Sequence, residues 1–214
     1  MIFFPKGYAY LCINTYYTMF TGIIETLGKV TRVDHDRGNI HFFIASPISN
    51  ELKIDQSVSH NGVCLTVVGI ADAVHQVTAI QETLLKTNLG NLQVNDLVNI
   101  ERCTPANGRF DGHIVQGHVD QTATCIAKED QNGSWLFTFE YAPNLQNITV
   151  EKGSITVNGI SLTVVNSIEK RFSVAIIPYT IENTNLQHTA VGSVVNLEFD
   201  IVGKYVSKIM ALRG

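Results

Sequence analysis

A chain of 214 residues that is 45% hydrophobic and only 16% charged holds enough apolar material for a buried core, which excludes a disordered polymer. A net charge of −4 and a pI near 5.9 leave no basic footprint for nucleic acid, and no run of Lys or Arg forms a polybasic tail. No apolar run reaches the roughly 18 residues of a membrane span, so the expected partner is a protein or an uncharged to mildly polar small molecule.

Residues 1–18 are aromatic and irregular, broken early by Pro5 and Lys6, and lack the apolar stretch and cleavage site of a signal peptide. They read as an N-terminal extension, a non-native start or disordered, with Met19 as the natural beginning. Further on, NGVCLTVV (Asn61–Val68) is followed 97 residues later by NGISLTVV (Asn158–Val165), which keeps six of the eight residues. The same offset lays TLLKTNL (Thr83–Leu89) on TIENTNL (Thr180–Leu186) and VNDLVNIE (Val94–Glu101) on VGSVVNLE (Val191–Glu198). Fourteen of these 23 positions are identical, where unrelated segments match at roughly one position in fifteen. A slip of two residues then sets GIIE (Gly22–Glu25) on GHVD (Gly117–Asp120), so the chain is two copies of one domain.

Each copy reads as β. Trp135–Tyr141, Ser154–Val165 and Phe172–Ile177 are rich in β-branched and aromatic residues or alternate polar with apolar, and Asn158-Gly159 is a turn signal. Short strands broken by Gly, Asn and Pro predict a small closed barrel per copy, with turn residues at Thr104–Arg109 for the linker. The expected units are a barrel over 19–104, a second over 105–201, and a helix over 202–214. In that tail Val202, Tyr205, Val206, Ile209 and Met210 form one apolar stripe that a short helix must bury, either on its own barrel or on another subunit. The four cysteines, Cys12, Cys64, Cys103 and Cys125, form no C-x-x-C pair and read as reduced thiols of a cytoplasmic protein.

MFTGIIE (Met19–Glu25), NGVCLT (Asn61–Thr66), GHIVQGHVD (Gly112–Asp120), KGS (Lys152–Ser154) and IIPYT (Ile176–Thr180) together resemble the riboflavin synthase family, in order and across nearly everything after Met19. The resemblance implies a mainly β fold of two six-stranded Greek-key barrels in tandem plus a short C-terminal helix. It also implies a homotrimer whose active site lies between the N-barrel of one subunit and the C-barrel of the next. The implied reaction moves a four-carbon unit between two molecules of 6,7-dimethyl-8-ribityllumazine, giving riboflavin and a ribitylamino-pyrimidinedione, with no metal or redox cofactor. Lumazine synthase is a candidate partner. One compound acting as both donor and acceptor calls for two similar pockets that differ chemically, as Cys64 and Ser161 do.

By that resemblance the N-barrel pocket uses Phe20, Gly22, Ile23, Ile24, Ser57, Cys64, Leu65, Thr66, Thr78, Ala79, Ile80, Gln81, Glu82 and Thr83. The C-barrel pocket uses Gly117, His118, Val119, Lys152, Ser161, Leu162, Thr163, Ile176, Ile177, Pro178, Tyr179, Thr180 and Ile181. His118 is the leading base for a methyl proton of the donor, because imidazole titrates near neutral pH. Ser57, Cys64, Ser161, Thr163 and Asp200 are the other candidates for proton handling or orientation of the nucleophile. On one strand, His113 and His118 would face opposite sides and could not share a metal. Tyr179 departs from the His or Glu of many family members, and the extension displaces the N-terminus from Phe20. The rival reading is a non-enzymatic lumazine- or flavin-binding antenna protein of the same fold; His118, Ser161, Thr163 and Thr180 in the second copy favour the enzyme.

Overall fold

Asn61-Gly62 and Asn158-Gly159 each close a two-residue hairpin, both residues of each pair at positive φ (49° and 81°; 45° and 81°), as the hairpin turn that matches strand twist requires. In the computed structural model, which describes residues 19–105, 107–144 and 147–213, these hairpins sit in two closed antiparallel barrels. The extension over 1–18, with Cys12, lies outside the described residues.

The first barrel contains β1 (Thr26–Asp36), β2 (Asn39–Ala45), β3 (Ser57–His60), β4 (Val63–Ala71), β5 (Val74–Ala79) and β6 (Leu97–Arg102). Around it the order is β1-β2-β5-β4-β3-β6, with β6 closing on β1. The second contains β7 (Gln121–Asp130), β8 (Trp135–Tyr141), β9 (Ser154–Val157), β10 (Ile160–Ile168), β11 (Arg171–Ile176) and β12 (Val194–Phe199), in the equivalent circular order. Register shifts recur at matching places, Val30/Arg32 with Cys125/Ala127 and Val67/Gly69 with Val165/Ile168, and supply the extra coiling a small barrel needs to close.

Strand alternation selects the core. Ile40, Phe42 and Ile44 of β2 and Val63, Leu65 and Val67 of β4 point into the first barrel, and Phe137, Phe139, Phe172 and Val174 fill the second. Each such side chain contributes about 1.5–3 kcal/mol by leaving water. Six-residue helices follow the fifth strand of each barrel, α1 (Gln81–Lys86) and α2 (Pro178–Asn183), the second started by a proline at its first position. The terminal helix α3 (Ile201–Ala211) is capped by Asp200, which accepts from Val202 N at 2.9 Å. None of its residues is buried, and Val202, Tyr205, Val206, Ile209 and Met210 are all exposed. Its stripe therefore does not pack on its own barrel.

The barrels meet about a local twofold axis. A Cβ on Gly62 would lie 2.7 Å from the Gly159 nitrogen, and one on Gly159 equally close to the Gly62 nitrogen, so both turns must be glycine for contact as well as for φ. Around them Asn99 Nδ2 donates to Asn158 O and Asn196 Nδ2 to Asn61 O, each at 2.9 Å. The carboxamides of Asn61 and Asn158 accept from Asn99 N and Asn196 N at 2.8 Å. Each asparagine thus satisfies a buried amide that a hydrophobic contact would leave unpaired.

Candidate active site

Two segments lie outside the strands and reach across the axis. Gly22, just before β1, offers its carbonyl to Ser161 N of the second barrel at 2.8 Å. Gly117, just before β7, offers its carbonyl to Cys64 N of the first barrel at 2.8 Å. Both glycines have positive φ, 78° and 77°, and a Cβ on either would meet the Cβ of Ser161 or Cys64 at 2.6 Å. Phe20 and Val115 exchange two backbone bonds alongside, at 2.8 and 3.1 Å. The hydrophobic neighbours follow the exchange: Ile24 packs on the second barrel's core, and Val119 on the first's.

This exchange corrects the expected grouping of the pocket residues. Gly22, Ile23 and Ile24 belong with Ser161, and Gly117, His118 and Val119 with Cys64, the reverse of an assignment of each segment to its own barrel. The cause is backbone bonding between segments far apart in the chain, which no local pattern records. The expectation that His113 and His118 share a strand is also corrected, since both lie on the irregular stretch between β6 and β7.

Around Cys64 the first barrel presents a thiol-rich face. Ser57 stands opposite Thr66 on the strand next to that of Cys64, and Cys103 Sγ donates to Ser57 O at 3.3 Å. Burial raises the Cys64 pKa, Glu198 raises it further, and Ser57 opposes. Burial and then Cys64 push the Cys103 thiol up to about 12. Both sulfurs are neutral thiols at pH 7 and not thiolate nucleophiles. Thr66 is exposed beside them, whereas Leu65 and Ala79 turn into the core and can meet a ligand only through their backbone. Thr78 Oγ1 bonds His41 Nδ1 at 2.8 Å, Thr83 O accepts from Thr87 Oγ1, and Ile80, Gln81 and Glu82 form an exposed edge. His118 donates its backbone N–H to Glu198 at 2.9 Å and carries its imidazole at the surface.

Around Ser161 the second barrel is chemically different. His113 Nδ1 lies 2.7 Å from Ser161 Oγ, and its Nε2 lies 3.2 Å from Thr156 Oγ1. Burial lowers the His113 pKa and the charge of Asp200 opposes this, so the ring is neutral at pH 7 and holds the serine hydroxyl in a defined orientation. Asp200 occupies the position that Cys103 holds in the first copy. Thr163 and Lys152 are exposed and Leu162 is half-buried against the core. Ile176 is buried, Ile177, Pro178 and Tyr179 stand exposed, and Thr180 and Ile181 are half-buried where α2 turns back. Both clusters therefore open onto broad faces. Among the described residues no group of three or more His, Cys, Asp or Glu could hold a metal ion.

Residue-by-residue reading missed His113, Cys103 and the glutamates Glu101 and Glu198. The glutamates carried a signal, being identical between the two copies; His113 was set aside on the premise of a strand.

A family profile described as the lumazine binding domain matches residues 21–103 and again residues 116–200. The chain is 42% identical to the riboflavin synthase of Actinobacillus pleuropneumoniae over 90% of each chain. It is 41% identical to that of Mycobacterium tuberculosis, over 92% of this chain and all of the relative. In structure it resembles LumP complexed with 6,7-dimethyl-8-(1'-D-ribityl) lumazine, at a TM-score of 0.76 and 20% identity, covering 84% of this chain and 98% of that one, which is a likeness of fold. Two lumazine-binding domains on one chain, with full-length relatives above 40% identity, place the protein in the riboflavin synthase family.

Proposed function

We propose that the chain catalyses the dismutation of two molecules of 6,7-dimethyl-8-ribityllumazine into riboflavin and 5-amino-6-(D-ribitylamino)uracil. A four-carbon unit passes from one lumazine to the other, and atoms and electrons balance between two copies of one substrate. The observation that carries this reading is the repeated glycine cradle with a changed side chain, Gly117 over Cys64 and Gly22 over Ser161. Two like molecules need two like pockets, and opposite fates need a chemical difference between them.

The roles follow from the two environments. Hydroxyl, imidazole and carboxylate gather at Ser161, His113 and Asp200, which suits the addition of water or hydroxide to an acceptor ring. His118, at the mouth of the Cys64 pocket, is placed to take a proton from the donor's methyl group. Ser57 and Cys64 orient that ring by hydrogen bonding, and Thr66, Thr163 and Lys152 offer polar groups for the ribityl chains.

The exposed edges at Ile80, Ile177 and Tyr179 and the uncovered stripe of α3 support a homotrimer. In it the Cys64 face of one subunit meets the Ser161 face of the next, and α3 supplies the contact. Holding two rings in a reactive orientation lowers the barrier by up to ~7–11 kcal/mol. The three described cysteines are free, which supports a cytoplasmic enzyme.

The test is to mix the purified chain with the lumazine and follow riboflavin by fluorescence. One riboflavin for every two lumazines consumed supports the reading; stoichiometric bound fluorescence without consumption supports the antenna alternative.

A further inference from the structure

Both glycine cradles are held from behind by a buried carboxylate. Glu101, at the end of β6, accepts from Thr21 N at 2.7 Å, Thr21 Oγ1 at 2.9 Å and Gly22 N at 3.0 Å. Glu198, at the equivalent point of β12, accepts from Gln116 N at 2.6 Å and from Gly117 N and His118 N at 2.9 Å. Both side chains are almost fully buried, at 4% and 3% exposure. In each case successive backbone N–H groups curl around one anion, forming a nest whose ligand is supplied by the protein itself.

The connectivity carries the argument further. Glu101 belongs to the first barrel, but the glycine it holds presents its carbonyl to Ser161 in the second. Glu198 belongs to the second barrel, but its glycine presents its carbonyl to Cys64 in the first. The peptide that donates to the glutamate also sets where the next residue, Ile23 or His118, projects. Burial disfavours both carboxylates, and despite the pull of those N–H groups it leaves Glu101 at about 7 and Glu198 above its ordinary range. Each carboxylate accepts from three donors through its two oxygens, which a neutral amide with a single accepting oxygen cannot do, so the residue type points to a demand for position.

We propose that Glu101 and Glu198 are the positioning residues of the two pockets, each holding from its own barrel the segment that shapes the site in the other. Glu198 sets the Cys64 pocket and the placement of His118; Glu101 sets the Ser161 pocket and the placement of Ile23. Cys64 also feels the Glu198 charge directly, which helps keep its thiol protonated.

This rests on the reading of two lumazine pockets, so the experiment begins with the full-length wild-type protein. Fluorescence titration with the lumazine should resolve two classes of site. In Glu198→Gln, whose amide cannot accept all three N–H groups, the Cys64-side class should weaken by about tenfold or more while the other stays within twofold. Glu101→Gln should do the converse. Iodoacetamide protection of Cys64 by the ligand identifies which class is lost. In Glu198→Gln the alkylation profile of Cys64 should also move to lower pH, because the charge that raises its thiol pKa is removed; the selective loss of one class of site is the readout that a merely structural role would not give. Glu198→Asp, keeping the charge, should recover part of kcat while KM stays near wild type, and it serves as the readout if the Gln variant fails to fold. Equal weakening of both classes in both variants, or no change in either, overturns the proposal. A wild-type protein that binds no lumazine overturns the two-pocket reading instead, and the inference with it.

Discussion

His60 and His75 meet Nε2 to Nε2 at 2.8 Å inside the first barrel, where the second barrel has Val157 and Phe172 at the equivalent positions. The proton positions follow from their other partners. His60 Nδ1 faces Val58 O at 3.1 Å and must donate, so its Nε2 accepts from His75 Nε2–H. His75 Nδ1 then accepts from Ser49 Oγ at 2.8 Å, and Ser49 in turn accepts from Ser46 N at 3.1 Å. The pair is satisfied only while both rings are neutral.

That pair predicts an acid-sensitive barrel. Burial holds His60 at about 3 and His75 at about 4, with the neighbouring histidine lowering His60 further. Unfolded histidines titrate near 6.5, so below that pH the unfolded chain takes up protons that the folded chain refuses. Stability is complete above about 6.5 and falls as pH drops toward 4, by up to ~2 kcal/mol per histidine at pH 5. Glu101 acts in the opposite sense, losing stability as pH rises from 4.5 to about 7, so the comparison must be with a variant that keeps it. Urea unfolding of His60→Val/His75→Phe at pH 7 and pH 5 should show a smaller acid loss than wild type. An equal loss would place the acid sensitivity elsewhere.

Gly117→Ala should damage both stability and turnover. Positive φ costs an alanine about 1–2 kcal/mol, and its Cβ would also lie 2.6 Å from Cys64 Cβ and 2.9 Å from Phe20 Cε2. Gly192→Ala, at φ 93° with nothing within 4 Å, isolates the strain from the clash. A melting temperature for Gly117→Ala no lower than that of Gly192→Ala would show that the cradle has slack.

Replacing Val206 and Ile209 with Asp should split the proposed trimer and leave the barrels folded, because no residue of α3 is buried in its own chain. Turnover should fall with it if, as in the proposed trimer, each site is shared between two subunits. Sedimentation velocity gives the answer directly: an undiminished sedimentation coefficient would remove α3 from the contact.

His118→Gln should lower kcat far more than it raises KM, as expected for a group that acts mainly in the transition state. His113→Asn should instead perturb the Ser161 side, lowering turnover with a changed pH profile, because the neutral ring orienting Ser161 is lost. If His118→Gln weakens binding and turnover equally, His118 is a wall of the pocket and not the base.

Much of the fold was legible in the chain. The repeat from Asn61 to Val68 and again from Asn158 located the β3–β4 and β9–β10 hairpins, since a two-residue Asn-Gly turn between alternating residues has few other outcomes. The five-residue stripe from Val202 located α3. Helices α1 and α2 were not visible, because six residues make less than two turns and show no periodicity. Strand β1 was hidden by its polar sequence, in which only Gly28 and Val30 are buried. Of the site, Cys64, Ser161 and the two glycines stood out through the repeat. The crossing of Gly22 and Gly117 did not, because a hydrogen bond between residues 139 apart in one case and 53 in the other leaves no mark on either local sequence. His113 became visible only once Ser161 Oγ was found beside it.

Ile24 and Val119, the apolar ends of the exchanged segments, mean that neither barrel owns all of its own core. A half-chain carrying one repeat would expose the hole its twin was meant to fill, and could fill it only by borrowing the arm of another half-chain. The covalent link between the repeats replaces that encounter with a tether, raising the effective concentration of each arm at its acceptor. The long-range contacts that complete one barrel then form together with those that complete the other, so the two repeats should unfold in a single cooperative transition, as one folding unit spread over two barrels.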